Sequence, residues 1–151
     1  MQWKPNTTVA AIAEQDGKFL LVEEKIDGKL VFNQPAGHLE HNESLIDAVI
    51  REVMEETAWE FEPSSLIGIY LYPSPNESEL TYLRFCFHGK CIKHYPERKL
   101  DTGIVRGVWL SVEEIEAQKN RIRSPMVLKC INDFLNGNHH PLDLIHNAQS
   151  L

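Results

Sequence analysis

Residues 37–59 read GHLEHNESLIDAVIREVMEETAW, and the two parts of this stretch follow different rules. Gly37 to Glu43 has no apolar period and a turn-like composition. From Leu45 onward, Leu45, Ile46, Val49, Ile50, Val53 and Met54 recur at three- and four-residue spacing, which predicts an amphipathic helix over 44–57. Asn42 is the expected N-cap. On that helix Glu52 and Glu56 stack one turn apart at the edge of the apolar face, with Glu55 beside them. Like charges at this spacing cost a helix about 0.2–0.5 kcal/mol, and the macrodipole disfavours anions near the C-terminal end where Glu55 and Glu56 lie. Lysines would suit a merely solvated face better. Two readings follow, a solvated acidic face or a cation site, since three converging carboxylates suit a hard divalent ion such as Mg²⁺, above all when substrate phosphates complete the octahedron.

Charge mapped along the chain points to the same segment. The 151 residues carry 22 Asp+Glu against 15 Lys+Arg, a net charge of −7. Residues 40–62 alone hold Glu40, Glu43, Asp47, Glu52, Glu55, Glu56, Glu60 and Glu62 against one base, Arg51, and the rest of the chain is balanced. An acidic surface argues against non-specific nucleic-acid binding, which needs Lys and Arg to displace phosphate counterions. With 42% apolar and 25% charged residues the composition is that of one soluble domain, expected over 1–151, large enough to fold without a disulfide or structural metal. Cys86, Cys91 and Cys130 are odd in number and lack CxxC spacing, so reduced thiols in a cytoplasmic protein are expected. MQWKPNTTVA contains no signal-peptide apolar core, and no run approaches the roughly 18 apolar residues of a membrane span. No membrane partner is therefore expected, and no heptad or long apolar edge argues against a monomer.

Around this helix the chain reads as strands. Thr7 to Ala13 and Phe19 to Glu24 flank Asp16-Gly17, and a second Asp-Gly, Asp27-Gly28, precedes Leu30 to Asn33. Asp-Gly between β-prone runs is a hairpin signal because both central residues of the tight turn need positive φ. Leu66 to Tyr72, Leu80 to Ile92 and Val105 to Leu110 are further strands. Ser111-Val112-Glu113-Glu114 is a capping-box start to a short helix, and Ser124-Pro125 opens a last one that Gly137 ends. This order predicts an α+β fold, a mixed sheet packed between helices.

From Gly37 the spacing is Gly, five residues, Glu43, seven residues, then Arg51-Glu52-Val53-Met54-Glu55-Glu56-Thr57-Ala58-Trp59. This resembles the Nudix box, G-x5-E-x7-R-E-U-x-E-E-x-G-U with U a bulky apolar residue, and departs from it only at Ala58, where the family usually has Gly. That Gly ends the helix in a left-handed conformation which Ala adopts reluctantly. The resemblance implies a Nudix fold over essentially the whole chain and binding of Mg²⁺, or Mn²⁺ in its place, on the diphosphate of a small nucleotide or pyrophosphate substrate. Carried over by position, it makes Glu52, Glu55 and Glu56 the metal ligands, with the Gly37 carbonyl a further one. Arg51 would orient the glutamates and Glu43 would pair with Arg51. Family members differ in the general base, a box glutamate such as Glu55 in some and an acid from a distant loop in others. Asp101 is the outside candidate here, ahead of Glu97.

Outside the box, Phe32-Asn33-Gln34-Pro35-Ala36-Gly37-His38-Leu39-Glu40, Arg121-Ile122-Arg123-Ser124-Pro125 and Pro141-Leu142-Asp143 are similar to a bacterial phosphatase subgroup of the family. That likeness implies release of single phosphates from nucleoside tri- and diphosphates and from pyrophosphate esters such as hydroxymethylpyrimidine diphosphate and thiamine diphosphate. An ADP-ribose or nucleoside-diphosphate-sugar pyrophosphatase is the enzyme alternative, and a non-catalytic nucleotide sensor the alternative of another class. For the substrate pocket, Arg84 is a cation in an apolar strand that either binds phosphate or pairs with a glutamate. Asn33 and Gln34 either hydrogen-bond a ring or shape a turn. His38 is a candidate phosphate contact. Trp3, Trp59 and Trp109 read as core before stacking platforms, and Trp3 is the best stacking candidate of the three.

Overall fold

The computed structural model describes residues 1–149 and 151. Seven strands and three α-helices follow in the order β1 (Asn6–Gln15), β2 (Lys18–Ile26), β3 (Lys29–Asn33), β4 (Ala36–His38), α1 (Leu45–Thr57), β5 (Trp59–Pro73), β6 (Thr81–His94), β7 (Ile104–Ser111), α2 (Val112–Ala117) and α3 (Met126–Leu135). Both Asp-Gly turns have the expected left-handed pair, with φ of 53° and 77° at Asp16-Gly17 and 50° and 78° at Asp27-Gly28.

The strands form one mixed sheet with two arms. β4, β1, β6 and β5 lie side by side, with β1 and β6 parallel and the other pairs antiparallel, while β2 runs between β3 and β7. The β1–β2 hairpin joins the arms through Glu14↔Phe19 and Gln15↔Lys18. Alternation along β1 sends Ala10 and Ile12 to one face, where they pack with Ile115 of α2 and with Val127, Cys130 and Ile131 of α3. Val9, Ala11 and Ala13 face the other way, against Ala48, Val49 and Val53 of α1. The sheet is thus packed between helices, and Trp59 and Trp109 meet edge to face at 5.8 Å against the α1 cluster. All three cysteines are free thiols. Among the described residues no helix is long and apolar enough to cross a membrane.

Both ends of α1 bear on the sequence reading. Its N-cap is Ser44, whose Oγ accepts from the Asp47 N–H at 3.0 Å, and not Asn42. Asn42 instead takes φ 63° in the preceding turn, a conformation its short polar side chain tolerates. At the other end Ala58 adopts φ 61° and ψ 22°, and its N–H donates to the Met54 carbonyl at 2.9 Å. The left-handed cap is therefore made without glycine. Its strain, about 1–2 kcal/mol, is opposed by burial of the methyl group, worth about 0.8 kcal/mol.

A buried carboxylate ties the β2 arm together. Glu23, only 6% exposed, accepts from Arg106 Nε at 2.9 Å and from Arg121 Nη2 at 2.5 Å. These arginines, Arg106 foremost, hold its carboxyl below the usual range against the opposing effect of burial. The depressed value means that this stabilisation is present above the unfolded-state value and fades as pH falls through the native one. Glu23→Gln is expected to cost about 1–3 kcal/mol at neutral pH, with the gap to wild type closing below about pH 4, as thermal melts at both pH values would show.

Candidate active site

Arg51 is the hub of the acidic helix. Its Nε and Nη2 donate to the two oxygens of Glu43 at 2.6 and 3.0 Å, a bidentate pair, and Nη2 also reaches the His38 carbonyl at 2.9 Å. Nη1 donates to Glu52 Oε1 at 2.6 Å and lies 3.4 Å from Glu55 and from Glu40. One guanidinium therefore fixes the loop before the helix to two carboxylates on it. The Arg51 bond holds the Glu43 carboxyl below its usual range, so Glu43 stays ionised as the anchor.

The carboxylates of Glu56 and Glu52 occupy a different environment. Glu56 Oε1 accepts the Ala36 N–H at 2.9 Å, and burial pushes its carboxyl up to about 8, helped by the nearby Glu52, Glu24 and Asp101. Burial raises Glu52 as well, against the pull of Arg51. Glu52 lies over Gly37, where an added Cβ would sit 2.1–2.3 Å from its carboxylate atoms, so the strand approaches the helix this closely only because residue 37 has no side chain. Asp101, on the loop between β6 and β7, donates its N–H to the Glu55 carbonyl at 3.0 Å. Oxygens of Glu52, Glu55 and Asp101 all lie within 4.8 Å of one another. An all-oxygen donor set, crowded and short of countercharge, fits a hard divalent cation.

Glu52, Glu56 and Gly37 line a cavity of about 550 Å³. Asn33, His38 and Arg84 also line it. Arg84 forms no ion pair among the described residues; its Nη2 donates to Gln34 Oε1 at 2.6 Å. Gln34 is not in the wall but completely buried beneath Arg84, its Nε2 turned to the Ala11 carbonyl at 3.3 Å. Trp3 also lies outside the lining, half exposed, with its Nε1 donating to the Glu79 carbonyl at 2.7 Å, where it pins the loop between β5 and β6. Thr8, Tyr72, Tyr82 and Arg123 line the cavity without having been singled out from sequence. Strand register, which no local pattern encodes, brings the first three together.

The NUDIX domain family matches residues 3–130. The chain belongs to the Nudix family. Phosphatase NudJ of Escherichia coli K12 is 39% identical over 143 residues, which span 95% of this chain and 92% of that protein. A Nudix hydrolase from Nitrosomonas europaea superposes with a TM-score of 0.94 at 49% identity, covering 98% of this chain and 100% of that one. An ADP-ribose pyrophosphatase from Streptococcus suis has a TM-score of 0.68 at 19% identity over 91% of this chain and 96% of its own, a likeness of fold alone.

Proposed function

We propose that this Nudix hydrolase is a Mg²⁺-dependent phosphatase releasing terminal phosphate from nucleoside tri- and diphosphates and from pyrophosphate esters such as hydroxymethylpyrimidine diphosphate and thiamine diphosphate. The observation that carries this reading is that Glu52 and Glu56 line the same cavity as Arg84, which has no ion-pair partner among the described residues, and Arg123, which is paired with Glu24. Such a cavity presents ligands for a cation and direct partners for phosphate in one space. The likeness to Phosphatase NudJ supports release of single phosphates over cleavage of ADP-ribose.

In this reading Glu52, Glu55 and Glu56, with the Gly37 carbonyl, hold Mg²⁺, and Mn²⁺ can replace it. When bound, the ion screens the phosphate oxygens and lowers the pKa of water. Arg51 is a positioning residue, aiming Glu52 and Glu55 through the contacts above, and Glu43 fixes Arg51 in turn. Asp101 or Glu55 takes the proton from the attacking water, both having a carboxylate oxygen within 4.8 Å of one of Glu52. Arg84 and His38 face the substrate from the remaining wall.

Phosphate release from GTP, GDP and thiamine diphosphate is the direct measurement. Turnover is expected with Mg²⁺ and none with excess chelator. Failure of all three substrates under every metal condition would falsify the proposal, and AMP as the main product from ADP-ribose, with the others untouched, would replace it by the pyrophosphatase reading.

A further inference from the structure

The cavity wall away from the carboxylates is laid out by strand register. Ala36, whose N–H holds Glu56, is level through Ala10 with Cys86 on β6. One step along β6 is Arg84, paired with Thr8 on β1, and a second step brings Tyr82, paired with Tyr72 on β5. Residues two apart share a face and stand about 7 Å apart along the strand. From the carboxylates outward, the wall therefore presents Arg84 with Thr8 and then the two tyrosines.

Thr8 is only 6% exposed, and neither its Oγ1 nor Arg84 Nε has a hydrogen-bond partner among the described residues. Buried polar groups are ordinarily satisfied, so two orphans on adjacent strands, both lining one cavity, mark a place where a ligand supplies the missing partner. The Gln34 bond already fixes the Arg84 guanidinium, so little freedom is lost when a ligand arrives. Tyr72 and Tyr82 offer apolar ring surface with polar tips. The loop joining their strands is braced by the Trp3–Glu79 bond and by Ser74, whose N–H donates to the Leu80 carbonyl at 2.8 Å.

We infer that Tyr72 and Tyr82 seat the planar heterocycle of the substrate, that Thr8 and Arg84 bind the phosphate nearest to it, and that the distal phosphate falls at Glu52 and Glu56. This deepens the phosphatase reading and rests on it for the reaction, but not for binding. It assigns the substrate a direction, so a diphosphate leaves its monophosphate as the product in the seat. A ring with a single phosphate is then the smallest ligand that fills the seat without being hydrolysed.

Calorimetric binding of GMP, thiamine monophosphate and inorganic phosphate in the presence of Mg²⁺ tests the seat without any turnover. Wild type is expected to bind at least one of the monophosphates more tightly than inorganic phosphate. Tyr82→Leu should weaken that monophosphate by about tenfold more than it weakens inorganic phosphate, the scale of lost ring stacking. Thr8→Val, which removes an unpaired hydroxyl at nearly constant volume, should weaken the monophosphate about fivefold while the melting temperature stays level or rises. Unchanged monophosphate affinity in Thr8→Val, or equal losses for phosphate and monophosphate in Tyr82→Leu, would overturn the seat. If these affinities shift as expected but no anhydride is cleaved, the seat stands and the phosphatase reading falls.

Discussion

Glu56→Gln is expected to lower turnover by about a hundredfold or more while leaving the metal-free protein folded. The glutamine keeps the geometry, because its Oε1 can still accept the Ala36 N–H that Glu56 accepts at 2.9 Å. What it loses is the negative charge offered to the cation, and with it part of the charge that holds substrate phosphates in place. Stability should move the other way. Burial pushes the Glu56 carboxyl up to about 8, so in the metal-free protein the native state keeps a proton that the unfolded chain has already released near its ordinary value. Where the native state binds more protons, stability falls as pH rises, here from about 4.5 to about 8. Metal-free wild type should therefore melt lower at pH 8.5 than at pH 6 by more than the glutamine variant does. A variant that turns over at nearly the wild-type rate would remove Glu56 from the metal site. One that unfolds in the absence of metal would show that the side chain is structural.

How far the sequence could be read depends on the range of the interaction. The helix periodicity of Leu45 to Met54 and the two Asp-Gly turns are local, and α1, β1, β2 and β3 appear where they are expected. The box glutamates lie three and four residues apart on one helix, but Asp101, which joins Glu52 and Glu55, comes from a distant loop. β5 was not legible in full: the expected strand covered Leu66 to Tyr72, whereas pairing begins at Trp59. Register shifts at Glu60/Phe61, Pro63/Ser65 and Leu66/Gly68 interrupt the period of two that announces a strand. β4 has three residues and exists because β1 pairs with it. The same limit explains the cavity. Arg84 stood out as a charge in an apolar run, but the burial of Gln34 beneath it, and its neighbours Thr8 and Tyr82, follow from pairing between segments far apart in the chain. Ala58 shows the converse, a local rule broken at a helix end whose left-handed backbone is nevertheless kept by its bond to Met54 and by burial.

Gly37→Ala should be nearly as damaging to catalysis as loss of a carboxylate, though it removes no functional group. The backbone itself tolerates alanine, since Gly37 is not in the left-handed region and lies in a strand paired with Val9. The obstacle is the Glu52 carboxylate, whose atoms lie 2.1–2.3 Å from the new methyl position. No pair of atoms can share that space, and the end of a glutamate side chain moves more cheaply than two hydrogen-bonded strands. Glu52 is therefore displaced, and its contact with Arg51 Nη1 at 2.6 Å is lost or lengthened. Misplacing one ligand in this way should weaken Mg²⁺ binding by about tenfold to a hundredfold and turnover by about a hundredfold, with little change in melting temperature. The cause can be separated from a general loosening of β4. If the methyl group acts through Glu52, then adding Gly37→Ala to Glu52→Gln should cost little beyond Glu52→Gln alone, because both remove the same ligand. Independent, multiplying losses in that double variant would place the damage in the strand instead of in the carboxylate it faces.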